Sequence, residues 1–447
     1  MKTARIDFNS GPQSFYGIIN VTVISGNPVL HGAKLSPGFS ETIYAPLYSL
    51  PITFESQAPF SLQLSEPDPD DICPSEKCYY FTRNTPIGYN IIFNGVYHSR
   101  IYKGATYPQP ALNFINGLLK RKPGIIFVAG NKSTGKSTFS KYLVNRILSE
   151  NDKVGFLDLD PGQPELSLPG TVSFSVLSNY ILNPPEHNNK IAQKIIMTGA
   201  VAIPDNFEYY MKSVECLIKE IPDNMFIVVN SFGWVIDLGF AIHKDLINLI
   251  KPDVTFVLHK PDEVAAKINL KIFQIEITPI HGGNVIFPKT QRELRIITYF
   301  KENTEMVNAY QPLVIPLTSL RIGFLCNNVD PHESLTAING SLVGLCWDER
   351  YFLPPKKLVS IIRNFPPLEC NGFGIVQGID LEKGVLYLLT PFPDAKFNTL
   401  IQGAVHIPGD LYADTNLADP NFFGIGLLDK IGASTDPLML KNTPVFD

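Results

Sequence analysis

Eight residues constrain this chain more tightly than any other stretch. Gly130-Asn131-Lys132-Ser133-Thr134-Gly135-Lys136-Ser137 satisfies every fixed position of G-x-x-x-x-G-K-[ST]. It follows the β-branched and apolar run IIFVA at 125–129 and opens residues 137–148, where Phe139, Tyr142, Leu143 and Ile147 recur at helical spacing. A strand that runs through such a loop into a helix predicts a phosphate-binding loop. Its glycines let the backbone turn tightly and approach a phosphate received by main-chain N–H groups. Lys136 has the charge and reach for the β- and γ-phosphates, the Ser137 hydroxyl suits Mg²⁺, and the helix presents its positive end to the nucleotide. Residues 130–137, with Thr138 as the next hydroxyl, are the expected ATP-binding set.

The pattern around the loop predicts an α/β fold: a P-loop, doubly wound parallel sheet flanked by β-rich N-terminal and C-terminal domains. Residues 154–159, 194–200, 225–231 and 253–259 read as further strands, with amphipathic stretches at 206–221 and 236–250 between them. Before about residue 105 the rhythm is shorter. Apolar or aromatic runs at 18–24, 47–54, 79–82 and 91–97 are separated by Pro, Gly, Asp and Asn, as in strands joined by turns. Past about 310 short strands return at 342–346, 374–376 and 385–389. The expected division is therefore 1–105, 106–309 and 310–447.

A phosphate loop specifies nucleotide binding and leaves the reaction open. The strand after the loop helix ends Asp158-Leu159-Asp160-Pro161-Gly162-Gln163. Strand alternation predicts that Asp158 and Asp160 face the same side. Two carboxylates there can divide labour, one holding Mg²⁺ and the other accepting a proton from an attacking hydroxyl. The Pro-Gly turn would leave Gln163 lining the same cleft; Asp-Pro-Gly is also an ordinary turn.

Taken together, GNKSTGKST at 130–138, DLDPGQPE at 158–165 and PGT at 169–171 resemble the polynucleotide 5′-hydroxyl kinases. That family includes a nuclear kinase of pre-ribosomal-RNA processing, to which DLDPGQPE is closer, and a relative from mRNA 3′-end formation and tRNA splicing. Asn230-Ser231-Phe232-Gly233-Trp234 resembles the family's clasp, with Ser231 where a threonine is usual, so the Ser231 hydroxyl is expected to meet a phosphate or sugar. Thr290–Phe300 resembles its lid helix ahead of a Tyr-Phe pair, and Arg292 and Arg295, three residues apart, would share one helix face. The resemblance implies that Asp160 orients the RNA 5′-hydroxyl and accepts its proton. Lys136 and a lid arginine would stabilise the moving phosphoryl group, with Asp158 and Gln163 completing the metal and water shell. It further implies a nucleolar enzyme acting after a partner endonuclease.

Composition sets limits on these readings. Net charge is −5, so bulk charge cannot hold nucleic acid, and local groups such as Lys120-Arg121-Lys122 and Lys132 would have to supply the positive surface. The start of the chain lacks the apolar stretch of a signal peptide, and no apolar run approaches the roughly 20 residues of a membrane span, so an intracellular, soluble protein is expected. The six cysteines show no zinc-like spacing and read as reduced thiols. Two rival readings remain: an ATP-holding scaffold of the mRNA 3′-end machinery without turnover, and a regulatory NTPase hydrolysing ATP or GTP; the later strands carry no Asn/Thr-Lys-x-Asp guanine signature, which argues against a GTPase.

Overall fold

A computed structural model describes residues 2–67, 86, 89–93, 95–101, 104–187, 192–261, 272–276, 286–301, 310–325, 329–350, 359–409 and 411. The strand expected at 79–82, and Cys73, Cys78 and Cys326, lie outside the described residues. Chain compactness yields two units. The first comprises 1–158, 175–188 and 221–288, and the second 159–174, 189–220 and 289–447. These units interleave along the chain, whereas the three parts expected from sequence rhythm are consecutive.

The first unit begins with β1 (Thr3–Phe8), β2 (Gln13–Ser25), β3 (Val29–Leu30), β4 (Ala33–Lys34), β5 (Ser40–Ala45), β6 (Ile52–Glu55), β7 (Phe60–Ser65), β8 (Asn90–Phe93) and β9 (Val96–Ser99). The thirteen-residue β2 is the organiser: its outer half pairs with β5 and β7, and its first residues pair with β6 and β9. Phe15, Ile19, Val21, Val23, Phe54, Phe60, Leu62 and Leu64 bury the face between these pairings. The β-rich reading of this region holds.

α1 (Gln109–Leu119) then leads to β10 (Ile125–Gly130), α2 (Lys136–Leu148) and β11 (Val154–Asp158). After β12 (Thr171–Leu177), β13 (Lys194–Met197) and α3 (Phe207–Ile218) come β14 (Ile227–Asn230), α4 (Asp237–Ile250), β15 (Val254–His259) and β16 (Ile272–Glu276). Five of these strands form a parallel ladder in the order β16-β15-β10-β14-β11, with the loop strand β10 in the middle. Its last five residues are buried, which explains the unbroken apolar run. Phe139 of α2 packs edge-on against Phe256 at 5.2 Å and against Tyr107 at 5.0 Å, anchoring the loop helix to the sheet. Truncating such a ring to alanine costs about 3–5 kcal/mol.

α2 also carries the β-rich region. The β3–β4 hairpin turns at His31-Gly32, both left-handed (φ 48° and 85°), and its tip lies on the helix. His31 Nε2 donates to Thr138 O at 2.9 Å, Asn145 Nδ2 donates to His31 O at 3.0 Å, and Ser149 Oγ donates to Gly32 O at 3.2 Å. A Cβ on Gly32 would stand 2.7 Å from Tyr142 O.

In the second unit, residues 171–174 of β12 pair antiparallel with β13. α5 (Pro288–Lys301), β17 (Leu313–Pro316), β18 (Arg321–Phe324), α6 (Ser334–Ile338), β19 (Leu342–Trp347), β20 (Ser360–Ile362), β21 (Glu369–Asp380), β22 (Val385–Leu389) and β23 (Thr399–Gln402) complete it. β13 joins β21, β21 pairs with β19 and β22, and β19 continues through β23 and β18 to β20. Ile322, Val343, Leu345, Val376, Leu386, Leu388 and Leu400 form its core, so the return of short strands past 310 holds too.

Candidate functional site

The glycines of the phosphate loop stand where the backbone demands them. Gly130 has φ 151°, and a Cβ there would lie 2.3 Å from Leu258 O on the neighbouring strand. Gly135 has φ 80°, caps α2 without any side-chain hydrogen bond, and has nothing within 4 Å of where its Cβ would be. Between them Ser133 also takes the left-handed conformation, at φ 60°. Left-handed residues in a loop that opens a helix, with no side-chain cap claiming the first-turn amides, make an anion cradle. Thr134 Oγ1 donates to Asn131 O at 2.8 Å and closes the turn. Lys136 Nζ donates to the same carbonyl at 2.8 Å, so its ammonium lies across the loop. Asn131, Ser137 and Thr138 are half-buried, and Lys132 is exposed.

Asp158 ends β11 opposite Asn230 of β14, which is itself opposite Val128 of β10. Its carboxylate accepts Asn230 Nδ2 at 2.9 Å, and Asn230 Oδ1 accepts Ser140 Oγ at 3.2 Å. A line of buried polar side chains thus ties the acid to the loop helix. The donor set suits Mg²⁺, which binds through one or two protein oxygens supplemented by phosphate and water. Among the described residues no three His, Cys, Asp or Glu converge on a metal position, so a cage made wholly of protein is absent there.

The strand stops at Asp158, and alternation therefore does not reach Asp160. In the second unit, half-buried Asp160 caps its own turn: Oδ1 accepts the amides of Gly162 at 2.9 Å and Gln163 at 3.2 Å. The Asp-Pro-Gly turn chemistry is real, and it fixes the acid's orientation without sinking it into the core. Gln163 is half-buried beside it. Tyr210 Oη donates to Leu159 O at 2.9 Å, and the amide of Gly170 to Pro161 O at 2.8 Å, so the segment is held at both ends. The PGT motif is a structural joint: Gly170 has φ 81°, and the Thr171 hydroxyl donates to Leu168 O at 2.6 Å.

Arg292 and Arg295 share α5 as expected and do different things. Arg295 is buried and donates through Nε to Ser167 O at 3.2 Å, fastening α5 to the segment after Asp160. Arg292 is half-buried, and burial pulls its pKa down while Glu293 and Asp160 push it back up. Arg292 therefore lies in the field of the Asp160 carboxylate.

Ser231 departs from expectation. It is 0% exposed, its hydroxyl donates to Val128 O at 2.7 Å, and it lies 3.1 Å from His243 Nε2. The hydroxyl is committed inside the fold instead of being presented to a sugar or phosphate, because Ser231 still hydrogen-bonds the central strand past the end of β14. Trp234 is half-buried, seated on Gly239, where a Cβ would stand 2.7 Å from its ring. His243 carried no motif signal in the sequence; only its pairing with Ser231 exposes it.

A cavity of about 500 Å³ opens beside the loop helix, lined by Thr138, Lys141 and Tyr142 of α2 together with His31, Glu55 and Tyr107. Lys120, Arg121 and Lys122 are exposed between α1 and β10.

The fold and the loop define a P-loop nucleotide-binding protein with β-rich flanks. The P-loop model of the mRNA cleavage and polyadenylation factor CLP1 matches residues 130–302, and the NOL9-like C-terminal domain model matches residues 308–408. A solved Clp1p–Pcf11p complex has a chain of the same fold, with TM-score 0.61 and 14% identity over 90% of this chain and 98% of that one. The particular family this chain resembles is that of the polynucleotide 5′-hydroxyl kinases. Bovine polynucleotide 5′-hydroxyl-kinase NOL9 is 27% identical over 394 residues, covering 69% of this chain and 55% of that protein. The human NOL9 kinase is 26% identical, covering 64% and 49% respectively, and that of Arabidopsis thaliana is 27% identical, covering 64% and 87%. The chain thus spans about half the length of its mammalian relatives. Among the described residues no helix is long and apolar enough to cross a membrane.

Proposed function

We propose that this chain is an ATP-dependent kinase that transfers the γ-phosphate of ATP to the 5′-hydroxyl end of RNA. The observation that carries the reading is the intact phosphate loop, with Lys136 laid across it and Asp158 tied to its helix, in a chain whose relatives bear that kinase name. The phosphates of ATP belong in the cradle of residues 130–137, and the cavity beside Tyr142 has room for the nucleoside. Ser137 and Asp158 would hold Mg²⁺, whose charge neutralises the phosphates.

The remaining roles belong to side chains. Asp160, its orientation set by the amides of Gly162 and Gln163, takes the proton of the attacking hydroxyl. Lys136 and Arg292 offset charge on the transferring group, and Gln163 orders water near the acid. Arg295 acts indirectly, by holding α5 in place. Phosphoryl transfer of this kind needs mainly positioning and charge neutralisation, and these groups supply both. The family resemblance extends the proposal to pre-ribosomal-RNA spacer ends left by a partner endonuclease in the nucleolus.

Incubation with γ-labelled ATP and a 5′-hydroxyl oligoribonucleotide tests the reading. Label on the RNA supports it. ATP retained without labelling indicates a scaffold, and free phosphate without labelled RNA indicates an NTPase; either result overturns it.

A further inference from the structure

Two polar contacts hold the ring of His243, which is 0% exposed, and a third continues from the second. Nδ1 lies 2.8 Å from Gly239 O, Nε2 lies 3.1 Å from Ser231 Oγ, and that hydroxyl donates to Val128 O at 2.7 Å. A carbonyl only accepts, so Nδ1 carries a proton. Burial, with the charge of Lys136 adding to it, takes the ring's pKa down to about 4, which leaves it neutral and Nε2 a bare acceptor. One hydroxyl proton therefore serves two acceptors. Val128 O tolerates the sharing because it also receives the Ser231 amide at 3.2 Å. The Ser231 hydroxyl is thus a pin joining the loop strand β10 to α4.

The neighbours of this pin connect it to the nucleotide site. Phe232 lays its ring on His243, with centroids 4.2 Å apart. Gly233 comes next, and a Cβ there would stand 3.0 Å from both Lys132 Cα and Lys136 Nζ. Trp234 then closes onto Gly239, one turn before His243 on the same helix. Residues 231–234 are therefore gripped at both ends by α4, and their middle is pressed onto the phosphate loop. Packing this close leaves little slack, so a shift at Ser231 is passed to Lys136.

We infer that His243 is a positioning residue for nucleotide binding, which holds Gly233 against the phosphate loop through the Ser231 hydroxyl and so fixes where the Lys136 ammonium stands. The inference rests on the nucleotide site of the proposed function and adds a residue that touches neither substrate.

The test is equilibrium binding of a fluorescent ATP analogue, with the melting temperature of each variant measured without nucleotide. His243→Phe fills the space and cannot bond Ser231; Ser231→Ala removes one oxygen and stays testable should His243→Phe fail to fold. Each is expected to weaken binding about tenfold, the double variant no more than either alone, and His243→Gln, whose amide reaches the Nε2 position, to recover most of the loss. Wild-type affinity in Ser231→Ala, losses that multiply in the double variant, or affinity that merely tracks melting temperature would each overturn the inference. Because the readout is binding, a failure to phosphorylate RNA counts against the kinase reading alone.

Discussion

Asn145 offers the sharpest quantitative check on how the phosphate loop is supported. It lies on α2 and is 0% exposed. Its Nδ2 donates to His31 O and to Ile181 O, each at 3.0 Å, and its Oδ1 accepts the amide of Ile181 at 2.8 Å. One side chain thus satisfies three backbone groups brought from 114 and 36 residues away. Replacement by leucine keeps the approximate volume and satisfies none of them. A buried backbone group left without a partner costs about 1–3 kcal/mol, so three orphaned groups, partly relieved by relaxation, predict a loss of about 3–5 kcal/mol. The chain has two tryptophans, and Trp234 belongs to the same compact unit as Asn145 whereas Trp347 does not. In a Trp347→Phe background, Trp234 fluorescence monitored through a urea titration therefore reports on the relevant unit. The midpoint should fall with the slope unchanged. A loss below about 1 kcal/mol would refute the argument that these bonds hold the β3–β4 hairpin and the 181 segment to the loop helix.

Three further outcomes are expected. Asp160→Asn should leave nucleotide affinity intact while transfer to 5′-hydroxyl RNA falls by a factor on the order of 10² or more, and full activity would remove Asp160 from its role. Arg292→Ala should lower kcat with the melting temperature unchanged, whereas Arg295→Ala should lower the melting temperature, because only Arg295 is buried against Ser167 O; the reverse pattern would exchange their assignments. Burial brings His31 and His243 down to about 4 in the folded chain, so on acidification the unfolded chain takes up protons first. Stability should be flat above about pH 7 and fall between about pH 6.5 and 4, by about 3 kcal/mol for each histidine. Urea midpoints across that range check this, and a stability that rises on acidification would contradict it.

The clasp shows where reading a sequence stops. Asn230 and Ser231 both end an apolar strand, and side-chain type alone gives each the same prospect of meeting a ligand. In the folded chain Asn230 holds the acid of β11, and Ser231 turns inward to β10 and α4. Arg292 and Arg295 are likewise equivalent by helical spacing, and burial separates them.

The sequence by itself determined the phosphate loop, the strand and helix around it and the turn at Asp160, because each is built from backbone and side-chain contacts within a few consecutive residues. Only tertiary structure decided that His31 supports the loop helix across 107 residues, that His243 bears on Ser231, and that the compact units interleave along the chain. Those outcomes depend on which distant surfaces meet and which polar groups burial leaves needing a partner, and no local pattern encodes either.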